Sequence, residues 1–211
     1  MFFYLLMTSA VEQSVDLMPL NVRVGRFWFQ RRSFSPVPLF LLLVLMPPNF
    51  VPTATQKLLL LLGILLAESI RVWAVGFAGS KTRTRGDKVD QLVHAGPYRF
   101  VRNPLYVANI LLYTFCGLFF GFTYLSAFIF VYSCLQYYFI VSFEESILST
   151  TFGASYAQFC KLVPRWLVSF KPLCPSSEHI FSLQKALRSE RSTFYSMAAM
   201  TVLYLLKSNL Q

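Results

Sequence analysis

From Asn103 to Phe143 the chain runs without a single charged side chain. At a rise of about 1.5 Å per residue, that stretch is nearly twice what one helix needs to cross a hydrocarbon layer of ~30 Å. Inside lipid every backbone N–H and C=O must find a partner within the protein, which leaves helices or closed barrels. The apolar residues here are continuous and do not alternate, so the pattern predicts two helices folded back on each other. Gly117 and Gly121, in GLFFGF, mark the expected turn between them.

Other apolar runs extend this picture. Ser33 to Gln56 is uncharged and is read as a first span, frayed by Pro47 and Pro48. Leu58 to Phe77 is long enough for a second, and the hairpin supplies the third and fourth. Ser192 to Leu206 is short for a full crossing, so a fifth span is left open. The chain is 55% hydrophobic and only 13% charged, against about 25% charged in soluble domains. The expected architecture is all-α: a polytopic integral membrane protein with four or five transmembrane helices and catalytic loops on the cytoplasmic side. The organisation expected is an interfacial N-terminal segment at 1–32, a membrane core at 33–170, and a C-terminal amphipathic segment at 171–211 that holds the possible last membrane helix.

Charge orients the chain. The formal net charge is +10, which in a soluble protein would point to nucleic acid. Here the basic residues flank apolar runs, which fits topology and anionic lipid headgroups, with no nucleic-acid partner. Arg23, Arg26, Arg31 and Arg32 crowd the entry to the first span. Lys81, Arg83, Arg85, Lys88, Arg99 and Arg102 precede the hairpin, and Lys161, Arg165, Lys171, Lys185, Arg188 and Arg191 follow it. The hairpin turn has no charge. Alternate loops are basic, so the N-terminus and the loops 78–103 and 144–191 are expected in the cytoplasm. The N-terminus lacks the basic start of a signal peptide. The four cysteines (Cys116, Cys134, Cys160 and Cys174) show neither CxxC nor Cys/His spacing, so reduced thiols and no metal are expected.

Four groups of residues are candidates for chemistry. Gly96-Pro97-Tyr98-Arg99-Phe100-Val101-Arg102-Asn103-Pro104-Leu105-Tyr106 lies where a basic loop enters the hairpin. Gly-Pro favours a turn, and Pro104 suits the first turn of a helix whose free N–H groups would receive a polar or anionic group. The alternative is an entry turn in which Tyr and Arg serve as interface anchors. Phe143-Glu144-Glu145-Ser146-Ile147-Leu148 leaves the hairpin, with Phe152-Gly153 and Tyr156 beyond it. The two acids point about 100° apart on a helix, so one faces a site while the other pairs with an arginine, unless both merely solvate a first turn. Val163-Pro164-Arg165-Trp166 supplies an arginine that is either a headgroup anchor or an anion-binding group. Glu68 and Arg71, inside the second span, are expensive in lipid and are expected to pair with each other as structure, the alternative being that they line a site. His94 could reach the site but reads more simply as a loop residue. No Ser-His-Asp pattern, P-loop or GxGxxG is present.

Taken in order, GPYRFVRNPLY, FEESIL, FG..Y and VPRW resemble the isoprenylcysteine carboxyl methyltransferase family and the wider group of small membrane methyltransferases that includes phospholipid N-methyltransferases. RVWAVGFAG before the basic loop is similar to bacterial members. The resemblance covers roughly residues 68–168. It implies S-adenosylmethionine as cofactor and methyl transfer to a lipophilic acceptor, either a prenylcysteine-like carboxylate or a lipid amine. It further implies that Tyr98, Asn103, Pro104, Tyr106, Glu144 and Glu145 bind the cofactor, and that Arg102, Arg165 and Glu145 act on the substrate. The partner implied is a membrane lipid or lipidated substrate, and the location a membrane with the site facing the cytoplasm, the bacterial inner membrane in preference to the endoplasmic reticulum. Asn103 stands where many members have His. Phe139-Ile140-Val141-Ser142-Phe143 lacks the arginine that carboxyl methyltransferases tend to place before the acidic pair, so Arg165 or Arg102 would have to grip a carboxylate. An NADPH-dependent membrane reductase and a non-catalytic lipid-binding protein are the alternatives.

The charge alternation makes a direct prediction. A topology reporter fused after Lys88 will read cytoplasmic, and one placed near Gly121 will read external; the reverse pattern overturns the expected orientation.

Overall fold

A computed structural model describes residues 18–32, 41–42, 45–78, 92–176 and 180–209. These form helices α1 (Leu20–Arg31), α2 (Ala54–Ala78), a 3-10 turn at Gly96–Arg99, α3 (Pro104–Phe119), α4 (Thr123–Leu162) and α5 (Leu183–Asn209). The described residues contain no strand. The helices pack as a row in the order α5, α2, α3, α4, α1.

Local chemistry sets the helix ends. Thr53 and Gln56 form a reciprocal box at the start of α2: the Gln56 N–H donates to Thr53 Oγ1 (3.3 Å), and the Thr53 N–H donates to Gln56 Oε1 (2.9 Å). Pro104 occupies the first turn of α3. The Lys185 N–H donates to Ser182 Oγ (3.4 Å) where α5 begins.

The hairpin forms, with its turn at Phe120–Phe122. Only one of its two glycines makes the turn. Gly121 sits at φ +86°, a conformation glycine tolerates. Gly117 lies inside α3, where a Cβ would run into Ser126 Oγ of α4, so its role is close helix approach. α4 does not stop at Phe143 as the end of the charge-free run implied. It continues for 40 residues in all, across a kink at Gly153 (φ 48°, ψ −118°). The expected amphipathic piece after the acidic pair is the second half of this helix, and it packs Phe152, Tyr156 and Phe159 against Val163 and Cys174.

Two helices, α2 and α4, are long and apolar enough to cross a membrane. α3, at 16 residues, spans about 24 Å and is shorter than a full crossing. Of the expected first span, residues 33–40, 43 and 44 lie outside the described residues, and Pro47–Thr53 is not helical. Lys81, Arg83, Arg85 and Lys88 also lie outside them. The outer face of α2 exposes Leu58, Leu59, Leu61, Leu62, Leu65 and Leu66, a continuous apolar strip of the kind a soluble monomer rarely shows. α5 runs antiparallel to α2: Phe181 lies over Gly76, Glu190 meets Arg71, and Met197 packs by Ile64 and Ala67.

Glu68 and Arg71 pair at 3.0 Å, as expected for a structural role. The pair is part of a larger buried cluster. Arg71 also donates to Glu190, to Asn109 and to Thr193 Oγ1 (3.0 Å). One guanidinium therefore serves two carboxylates, and its loss would leave both buried without a counter-charge. Arg71→Met will lower stability by about 3–5 kcal/mol, whereas Glu68→Gln, which leaves Arg71 balanced by Glu190, will cost far less. Thermal melts of the two variants in detergent check this, and equal losses would contradict it.

Candidate active site

The two ends of the α3–α4 hairpin return to one end of the molecule, and three sequence-distant segments meet there. The first is the entry turn. Gly96 adopts φ +54°, with Phe77 where a Cβ would stand, and this seats the 3-10 turn Gly96–Arg99 against α2. The second is the acidic pair on α4. The third is the tail 163–176, which is laid along the entry turn by main-chain hydrogen bonds. The Arg102 N–H donates to the Pro164 carbonyl (2.9 Å), the Ser169 N–H to the Phe100 carbonyl (3.0 Å), and the Leu173 N–H to the Arg99 carbonyl (2.9 Å). Arg99 Nε donates to the Cys174 carbonyl at 2.8 Å, and His94 Nδ1 lies 3.1 Å from the Pro175 carbonyl. His94 thus braces the tail.

The two glutamates have separate partners, as their angular separation on a helix requires. Glu145 takes both nominated arginines: Arg102 at 3.0 Å, and Arg165, which donates to its other oxygen. Arg102 also donates to Cys160 Sγ at 2.8 Å. Asn103 Nδ2 donates to the Arg165 carbonyl at 3.1 Å, so Asn103 fastens the tail. Pro104 is buried at the start of α3. Arg102, Asn103, Glu145 and Arg165 therefore form one clamp between turn, helix and tail.

Glu144 faces the other way. Tyr106 Oη donates to its Oε1 at 2.7 Å, and Arg32 Nη1 lies 3.6 Å from the same oxygen. One face of the Tyr106 ring is covered by Tyr137, with centroids 4.7 Å apart and planes at 27°. Tyr98 belongs to the same neighbourhood: burial first, and then the charge of Glu144, push its hydroxyl well above the ordinary tyrosine value. It stays protonated and able to donate. The chemistry this arrangement offers is a carboxylate with phenol donors and a nearby guanidinium, flanked by aromatic rings.

Arg32 was not nominated from the sequence. It lies at the end of α1, far from the motifs, and its guanidinium rests 3.9 Å from the centroid of the Phe29 ring. α1 reaches the site because Gly25 lets it approach α4 closely: a Cβ there would meet the Phe139 carbonyl and Phe143. A glycine within an arginine-rich helix was the available signal. Beside the entry turn, an apolar cavity of about 160 Å³ opens between α2 and α3, lined by Ile70, Trp73, Phe100, Pro104, Val107 and Val168 among others. Its walls include the neighbours of Arg102 and Asn103.

The division of labour between the acids predicts different losses. Glu145→Gln removes a charge shared by two arginines and will destabilise the clamp by about 1–3 kcal/mol, read as faster limited proteolysis within 163–176. Glu144→Gln will leave that cleavage rate near wild type. Equal rates for the two variants would show that the clamp does not depend on Glu145.

Comparison with known proteins gives a family-model match over part of the chain. Curated proteins give no match, and neither do solved structures. The family model described as phospholipid methyltransferase matches residues 53–155. This span takes in α2, the entry turn, the hairpin and both glutamates, and it excludes α1, the tail from Val163 and α5. The resemblance read from the ordered motifs is thereby borne out over residues 53–155, the stretch that matches the phospholipid methyltransferase family model.

Proposed function

We propose that this protein transfers a methyl group from S-adenosylmethionine to an amine on a lipid headgroup at the membrane surface. The observation that carries the reading is the meeting, inside the family-matched segment, of Tyr98, Tyr106 and Glu144 at the end of an apolar hairpin opposite its turn. Methyl transfer of this kind needs positioning and exclusion of water more than a nucleophile or metal on the protein.

The donor set fits such a cofactor. Aromatic rings favour a sulfonium cation by about 0.5–2 kcal/mol, and a carboxylate with phenol donors suits hydroxyl and amino groups. Tyr98, Asn103, Pro104, Tyr106 and Glu144 are the residues that would hold it, with Glu145 contributing by keeping Arg102 and Arg165 in place. When bound, the cofactor supplies an electrophilic methyl group. The protein's part is to present a neutral amine to it: Glu144, whose carboxyl burial pushes up to about 7 against the opposing pull of Tyr106 and Arg32, takes the proton the amine loses. The apolar cavity beside Pro104 and Val107 suits an alkyl chain of the acceptor.

An amine is favoured over a carboxylate as acceptor because Arg102 and Arg165, the groups that would have gripped a carboxylate, are both committed to Glu145. The protein acts as an integral membrane protein of four or five spans, with the site on the cytoplasmic face of a bacterial inner membrane. Arg23, Arg31 and their neighbours meet anionic headgroups there.

Calorimetric titration of the purified protein separates this reading from its rivals: S-adenosylmethionine binds and NADPH does not. Glu144→Gln will weaken cofactor binding roughly 10- to 150-fold, the equivalent of one hydrogen bond to a charged group, and Tyr106→Ala will also weaken it. Binding of NADPH alone would favour a reductase. Binding of neither cofactor would favour a non-catalytic lipid-binding protein.

A further inference from the structure

α5 lies outside the family-matched segment, yet it carries the most deeply buried charge among the described residues. Glu190 is fully buried at 0% exposure. A carboxylate inside helix packing is expensive unless it is paired and hydrogen-bonded. Glu190 meets both conditions: Arg71 donates to it, and so does Thr193 Oγ1 at 2.9 Å. Charge balance alone does not explain its presence, because Glu68 already pairs with Arg71.

Direction explains it better. A guanidinium is a planar fork whose donors point in fixed directions. With Glu68 on Nε, and with Glu190 and Thr193 on Nη2, the remaining terminal nitrogen, Nη1, is aimed at Asn109 Oδ1. Because arginine can only donate, the amide must present its oxygen to Arg71 and its nitrogen to the other side. There Asn109 Nδ2 donates to Tyr137 Oη at 3.0 Å. The Tyr137 ring stacks on Tyr106, and Tyr106 donates to Glu144. A continuous buried column thus joins α5 to the candidate site across α2, α3 and α4.

We propose that Glu190 is a positioning residue of the site, acting through Arg71, Asn109 and Tyr137 to hold Tyr106 against Glu144. The proposal rests on Glu144 and Tyr106 forming the working end of the site. It also assigns a function to a helix that the family-matched segment does not include. Glu144 is faced by Tyr106 from α3, Arg32 from α1, Tyr98 from the entry turn and Glu145 from its own helix. Of these, Tyr106 is the one the column reaches.

The test uses the full-length protein in lipid nanodiscs and reads the Glu144 carboxyl by infrared titration, its band identified by its loss in Glu144→Gln. This readout does not depend on catalysis. Removing a donor to a carboxylate favours its neutral form, so Tyr106→Phe will raise the midpoint by roughly one pH unit. Glu190→Gln will raise it in the same direction by a smaller amount, and will add nothing in the Tyr106→Phe background. Its melting temperature will stay near wild type, since Arg71 keeps Glu68. Tyr137→Phe, which breaks the column by one hydroxyl, will repeat the shift. Phe181→Ala, which weakens the seat of α5 on Gly76 without touching the column, will lower the melting temperature and leave the midpoint unchanged. A wild-type midpoint in both Glu190→Gln and Tyr137→Phe overturns the proposal, as does a Glu190→Gln shift that simply adds to that of Tyr106→Phe. If these shifts appear in a protein that binds no S-adenosylmethionine, the positioning column stands and the methyltransferase reading falls.

Discussion

The tight return between α3 and α4 is the constraint from which the site follows. Gly121 reverses the chain at φ +86°, and its carbonyl accepts the N–H groups of Asn49 (3.0 Å) and Phe50 (3.1 Å). The Asn49 side chain in turn accepts the Thr123 N–H at 3.0 Å, covering the start of α4. Backbone groups at an apolar hairpin tip would otherwise lack partners. At the other end, where the chain enters α3 and runs on along α4, the same register sets Tyr106 opposite Glu144. With Gly117 against Ser126, Asn109 against Tyr137 and Tyr106 against Glu144, the two helices stay in contact from tip to site.

The acidic pair then divides the labour. Glu145 gathers Arg102 and Arg165, so the entry turn, the helix and the tail are held by one carboxylate and by main-chain bonds along 99–102 and 164–173. Glu144 is left to Tyr106 and Arg32, the arrangement expected of a carboxylate that receives a ligand or a proton. One residue of rotation on a helix, about 100°, separates the acid that takes the two arginines of the clamp from the acid that meets Tyr106. The kink at Gly153 allows the same helix to turn its second half under the tail.

The helices outside the family-matched segment are tied to this centre by charge. α1 sends Arg32 to Glu144, and α5 sends Glu190 to Arg71. In apolar surroundings an ion pair has few competing partners, and breaking it leaves a buried charge. Such contacts fix how an added helix docks more sharply than leucine packing does. The leucines of α2 and the apolar side chains of α4 that face outward, including Leu62, Leu65, Phe128 and Leu135, carry no such directional demand.

The sequence by itself determined the all-helical character, the hairpin, the presence of α2 and where it ends, and the likeness to small membrane methyltransferases; the start of α2 at Ala54 falls inside the stretch read as the first span. All of these follow from runs of apolar residues and from short motifs whose order is written along the chain. It also carried the separation of Glu144 from Glu145, since helix geometry alone keeps neighbours apart. Only the tertiary structure decided which acid took the arginines, that Gly117 packs while Gly121 turns, and that α4 runs on past Phe143. It alone brought Arg32 and Glu190 to the core. Those outcomes depend on contacts between residues up to 119 positions apart. A one-dimensional pattern records the need of a buried charge for a partner, and the partner's identity is fixed by which helices pack together.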